Sequence, residues 1–234
     1  MPKTNGFTGF PPTGVQFLRN LRENNDKAWF EAHKAAYLAD VQGPALALVE
    51  ALGGRLKEQY PAITYDTRAN GSGSLMRLYR DTRFSADKSP YKTNVAMVFT
   101  FGTGKKMESP GFGLQITPEK VEMYAGIFAF PKPMLDAYRQ AVLTDKHAKT
   151  LEAAAAAVQR AGAYPLGGET YKRVPTGFDA DHPRAQWLRY TGLHAGAPDI
   201  SLEVAATPTL VEAVMAHFTA MSPIPLWLFG ALER

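Results

Sequence analysis

An α+β fold follows from three features of the sequence. Up to residue 60 the apolar residues recur at spacings of three and four, the repeat of an amphipathic helix. From 62 to 130 the pattern changes to alternation, with turn residues between the runs. From 131 onward the helical spacing returns, with one further alternating segment. The prediction is a single domain over 1–234, a central antiparallel sheet flanked by N-terminal and C-terminal helices.

Residues 1–12 are rich in Gly and Pro and read as an extended arm anchored by Phe7 and Phe10. Thr13 is placed to cap a helix whose stripe is Val15, Leu18 and Leu21, with Phe17 beside it, ending at Asn24–Asn25. Asn25 then caps a second helix, with Asp26 in its first turn. The inner face of that helix is Trp29 or Phe30, His33 and Tyr37, which makes His33 a core histidine. Pro44 suits the first position of a third helix carrying Leu46, Val49, Leu52 and Leu56. It stops at Tyr60, because Pro61 disfavours helical backbone in the residue before it.

The middle of the chain opens with a Gly- and Ser-rich loop at 69–74, with Arg68 before it and Arg77 after it. Leu75 to Arg80 reads as a strand. Val95 to Phe101 is apolar on both faces and reads as a central strand. Gly111 to Thr117 and Val121 to Ile127 form a hairpin through Pro118–Lys120.

Pro131 and Pro133 open a helix through Leu135, Tyr138 and Val142, and Thr144 caps the next one, which Gly162 ends. Residues 163–183 read as irregular. Ile200, Leu202 and Val204 alternate as the inward face of a strand over 198–205. Thr207–Pro208 opens a helix carrying Leu210, Val211, Val214 and Phe218, and Ser222–Pro223 a last one carrying Trp227 and Phe229.

Composition narrows the function. Apolar content of 45% with 21% charged residues is that of a folded chain. The absence of cysteine excludes disulfides, thiol nucleophiles and thiolate metal sites. The N-terminus lacks a signal-peptide pattern, and the longest apolar runs are far short of the roughly 20 residues that span a bilayer. A soluble cytoplasmic protein with no membrane partner is expected. No GxxxxGK[ST] loop, GxGxxG turn, GxSxG elbow or metalloprotease His pair is present, so neither metal nor cofactor is expected.

Charge is concentrated in one place. Between Arg68 and Asn94 six basic residues face two acidic ones, a net +4 that equals the formal charge of the whole chain. Its centre, Arg80 to Asn94, reads RDTRFSADKSPYKTN. Guanidinium forks match the oxygens of phosphate or carboxylate, and Lys adds a mobile point charge. Arg80, Arg83, Lys88, Tyr91 and Lys92 are therefore the candidate ligand-binding residues. Lys172 and Arg173 come from a second, proline-bearing loop, and His182 is the best available proton donor. The bland alternatives are a turn braced by Asp81 and Asp87, and a helix cap made by Asp179 or Asp181 beside His182.

RDTRFSADKSPYKTN, with LRENNDKAWFEAHKAAY at Leu21–Tyr37 and YKRVPTGFDADHP at Tyr171–Pro183, resembles domain-of-unknown-function family 2461. The resemblance supplies no activity and no catalytic residue. It implies that three segments distant in sequence belong to one surface. The leading functional expectation is a domain binding a phosphate- or carboxylate-bearing small molecule in a basic cleft. The alternatives are a nucleic-acid-binding module, with Phe84 and Tyr91 stacking bases, and an interaction adaptor presenting Trp227 and Phe229. Whether a reaction is catalysed stays open, as does the oligomeric state.

Overall fold

The computed structural model describes residues 6–83 and 85–232, so the expectations for the first residues of the arm and for Phe84 lie outside the described residues. The fold is α+β, with one six-stranded antiparallel sheet. Its strands are β1 (Ile63–Thr64), β2 (Val95–Phe101), β3 (Gly111–Ile116), β4 (Val121–Ile127), β5 (Leu166–Glu169) and β6 (Tyr190–Gly196), ordered β1-β2-β3-β4-β6-β5. Two compact units can be told apart. The first comprises Met1–Phe99, Gly113–Met123 and Asp199–Ala216, and the second Thr100–Phe112, Tyr124–Pro198 and His217–Arg234.

In the first unit, α1 (Pro12–Glu23) buries Val15, Phe17, Leu18 and Leu21, the stripe the spacing predicts. Its start differs: Pro11 stands at the cap position, and no side chain caps it. The arm is pinned as expected, with Phe7 and Phe10 buried and Phe10 N donating to Ala205 O at 2.8 Å. α2 (Lys27–Ala36) is capped by Asp26, whose Oδ1 accepts from Trp29 N at 2.9 Å, and not by Asn25. That shift of one residue leaves Asn25 free for another task. Phe30 is the buried residue of α2, while His33 is exposed rather than in the core. The His33 ring stacks on Trp29 with centroids 4.1 Å apart, and its Nδ1 lies 2.7 Å from Trp29 O. A π-helical turn (Tyr37–Gln42) leads into α3 (Gly43–Gln59), which ends before Tyr60–Pro61.

Leu75–Arg80 does not form a regular strand. It touches its partner at two separate rungs, Leu75 with Met97 and Tyr79 with Tyr91. Four residue steps on one side span six on the other, so the ladder breaks between the rungs. Residues 198–205 likewise give one rung, Ile200 with Val121, before Ser201 caps the short helix α6 (Leu202–Ala205). The hydroxyl of Ser201 turns the chain into a helix where alternation predicts a strand.

The second unit holds α4 (Lys132–Leu143), α5 (Asp145–Ala161) and α8 (Pro223–Leu232); α7 (Leu210–Met221) runs from the first unit into it. Tyr138 of α4 is buried, its hydroxyl donating to Trp187 O at 3.0 Å. Trp227 of α8 is buried too, and its Nε1 donates to His147 O and Thr150 Oγ1, each at 3.0 Å. β5 lies in the segment read as irregular. Its LGGE sequence and the YTGLHAG of β6 lack the β-branched alternation that signals a strand. The glycines serve close approach instead: at Gly168, with φ +104°, a Cβ would fall 2.2 Å from Gly192 O.

Candidate functional site

The basic stretch is built on two short paired segments of the first unit. Lys92 N donates to Leu78 O at 2.8 Å and Arg80 N to Pro90 O at 2.9 Å, flanking the Tyr79–Tyr91 rung. Pro90 has no N–H to return, so the pairing goes no further. A side chain from far upstream locks this rung. Asn25 Nδ2 donates to Tyr91 O and Asn25 Oδ1 accepts from Tyr91 N, both at 3.0 Å. The Tyr91 ring, 1% exposed, stacks on Phe30 with centroids 4.4 Å apart and meets Tyr79 at 5.2 Å. Burial pushes the Tyr91 hydroxyl up from its ordinary value, with Tyr79 adding to the effect. Tyr91 is therefore a buried brace, with no ring face open for stacking a base.

Most cations of the stretch have internal partners. Arg83 forks onto Asp81, Nε to Oδ1 at 3.0 Å and Nη2 to Oδ2 at 2.7 Å, and holds that carboxyl at about 2. Arg80 pairs with Asp87 and reaches Ser85 Oγ at 3.4 Å. Asp87 also accepts from the Ser89 hydroxyl at 2.6 Å and the Ser89 N–H at 2.9 Å, which, with Arg80, hold it at about 2. Lys88 Nζ donates to Thr82 O at 2.9 Å, and Arg68 Nε to Asp66 Oδ2 at 2.6 Å. Much of the sequence's charge density thus serves the braced turn.

Two cations differ. Lys92 is half-buried, and its ammonium has neither a carboxylate nor a hydrogen-bond acceptor among the described residues. Burial pulls its pKa below the ordinary lysine value, and Arg77 and Arg80 push the same way. Arg77, exposed, has no ion pair among the described residues either, though it lies within electrostatic reach of Asp81. The Gly/Ser loop lies against it. A Cβ on Gly71, whose φ is +82°, would meet Arg77 Cβ at 2.9 Å. The neck of that loop is closed by Ser74, whose N donates to Asp66 O at 2.7 Å and whose Oγ accepts from Asp66 N at 3.2 Å. Arg77 carries no motif of its own. Its sequence signal is a basic residue in a segment that pairs with Lys92.

Lys172, Arg173 and His182 belong to the second unit. Lys172 and Arg173 are exposed. His182 Nδ1 accepts from Arg184 N at 3.1 Å, which leaves Nε2 as the nitrogen able to exchange a proton. No described Asp hydrogen-bonds the ring. Asp179 instead accepts from Asp181 N at 2.9 Å, a local turn that follows the bland alternative in kind. Tyr171 and Phe178 flank Arg139, with ring centroids 5.9 and 5.6 Å from its guanidinium carbon. A cavity of about 380 Å³ in this unit is lined by Glu152, Glu169, Gln186, Trp187, Arg189 and Tyr190, with Glu169 and Arg189 paired at 2.7 Å.

Among the described residues no group of three or more His, Asp or Glu side chains is placed to hold a metal ion, and no single helix is long and apolar enough to cross a membrane. Of the three segments that carry the family resemblance, the structure joins Leu21–Tyr37 to Arg80–Asn94 through Asn25 and Phe30, and places Tyr171–Pro183 in the other unit. No curated protein matches the chain. Residues 13–227 match the description "Conserved hypothetical protein (DUF2461)", and the chain belongs to that family.

Proposed function

We propose that the first unit binds a small phosphate- or carboxylate-bearing anion at Lys92, with Arg77 and Arg80 as the flanking donors. One observation carries this reading: Lys92 is half-buried and unpaired, while its basic neighbours Arg68, Arg80, Arg83 and Lys88 all have partners. Desolvating a cation without a counter-charge costs stability, and such groups concentrate at functional sites. An incoming anion would supply the missing charge. Arg83 and Lys88 belong to the scaffold in this reading, and Tyr91 acts through its backbone and ring packing.

Inorganic phosphate in a thermal-shift experiment tests it. Saturating phosphate raises the melting temperature of the wild-type protein, and Arg77→Gln/Lys92→Met abolishes the rise. Ligand at about a hundred times its dissociation constant adds roughly 2.7 kcal/mol, a readable shift. No shift with phosphate, sugar phosphates or carboxylates would overturn it.

Tyr79 favours one second reading. Its ring is 53% exposed beside these cations, a platform on which a single-stranded nucleic acid could stack a base. A shift produced by short single-stranded DNA alone, and lost steeply with added salt, would select it. The adaptor reading loses its main support because Trp227 is buried in the second unit.

A further inference from the structure

A lysine amine attacks carbonyl carbon as the free base, so a carboxylate partner, which keeps it protonated, works against it. Paired lysines are the rule here: Lys34 with Glu31, Lys105 with Glu108, Lys120 with Glu122 and Asp199, and Lys132 with Asp136. Lys27, Lys146, Lys149 and Lys172 are exposed and keep their water. Lys92 alone among the described lysines is half-buried with no partner, and the charges nearest it are guanidinium groups. Its position is also fixed. The bond from Lys92 N to Leu78 O, the bond from Arg80 N to Pro90 O and the Asn25 clamp on Tyr91 hold the amine and both arginines on one set of paired segments.

We infer that Lys92 Nζ is a nucleophile, and that the anion taken at this site is an oxo-carboxylate whose ketone or aldehyde carbon it attacks. This deepens, and rests on, the anion reading of Arg77, Arg80 and Lys92. The substrate carboxylate pairs with a guanidinium, which sets the neighbouring carbonyl carbon before the amine. Lys92 first releases its ammonium proton to solvent. The nitrogen lone pair then forms the N–C bond while the carbonyl π pair moves onto oxygen. Loss of that oxygen as water, carrying both remaining amine protons, leaves a C=N imine. No oxidant or reductant is consumed. The flanking guanidinium groups favour the free amine before the reaction, and the substrate carboxylate offsets their charge during it.

The test is reductive trapping of the full chain with pyruvate and sodium borohydride, which delivers hydride to the imine carbon and makes the adduct permanent. Peptide mass spectrometry then locates it. The expected result is an adduct on Lys92 on the order of tenfold above that on exposed Lys172, suppressed by phosphate and weakened in Arg77→Gln. Acetone, which lacks the carboxylate, should show no preference for Lys92. An adduct absent from Lys92, spread evenly over the lysines, or equally selective with acetone overturns the inference. If phosphate shifts the melting temperature but pyruvate leaves Lys92 unmodified, the nucleophile fails and the anion site stands. If neither occurs, both fall.

Discussion

The carboxamide of Asn25 closes on the backbone of Tyr91 from both sides, donating to its carbonyl and accepting from its N–H, each at 3.0 Å. An amide side chain matches a backbone rung because it carries one donor and one acceptor with the spacing of a peptide group. The clamp joins a helix start to the basic stretch 66 residues later. It does so at the residue before Lys92, so the helix positions the amine without touching it.

Asn25→Ala should cost about 1–3 kcal/mol, the penalty for leaving a partly buried N–H and C=O unsatisfied. Chemical denaturation would read this as a lower midpoint at unchanged slope. Phosphate affinity should fall with it, since the Tyr79–Tyr91 rung loses its lock. A variant of unaltered stability would show that the Phe30–Tyr91 stack alone suffices.

Lys92→Met should have the opposite sign. The substitution removes a half-buried cation flanked by two guanidinium groups and keeps an unbranched side chain of similar length. A gain of up to about 1 kcal/mol is expected, together with loss of the phosphate shift. The pH dependence follows from the same group. Its folded pKa is lowered, so protonation opposes folding: wild-type stability should rise as pH climbs through the folded value toward the ordinary 10.5, and the variant should lack that rise. A strongly destabilised variant would instead make the ammonium a structural element.

Much of the fold was legible because its signals are local. The stripe of α1, the ends of β2 and β4, and the stop of α3 at Tyr60–Pro61 depend on neighbouring residues alone. Where the reading failed, the deciding contact is distant or of one-residue precision. Asn25 and Asp26 both suit an N-cap, and the pairing of Asn25 with Tyr91 decides between them. β5 and β6 are glycine-rich strands whose close approach is visible only in three dimensions. At the site, the sequence marked the right stretch by its charge. It did not separate cations held by Asp81 and Asp87 from Lys92, because pairing is a property of geometry.

Asp81 and Asp87 define an acid window. Both carboxyls are held at about 2, against an ordinary 3.8, the first chiefly by the Arg83 side chain and the second chiefly by the Ser89 hydroxyl. A carboxyl depressed in the folded state lends stability above its unfolded value and loses it as pH falls through the folded one. The window therefore runs from 3.8 down to about 2. Both groups are exposed, so the change is small. Asp87→Asn should flatten the fall in denaturation midpoint across this range. It should also release Arg80 and tighten phosphate binding severalfold. Unchanged affinity would show that Arg80 does not contribute to the site.

Trp227 separates core from interface in the second unit. Its indole is buried, and its N–H is shared between His147 O and Thr150 Oγ1 at 3.0 Å each. An adaptor surface would tolerate Trp227→Ala with its stability intact, whereas a core position loses about 3–5 kcal/mol to the cavity. Trp227→Phe isolates the polar part: it keeps most of the volume, removes the shared hydrogen bond and should cost about 1 kcal/mol. Thermal denaturation of the two variants ranks these terms. The expected order is wild type, Trp227→Phe, Trp227→Ala, with the larger step at alanine, because burying the ring contributes more than satisfying its N–H.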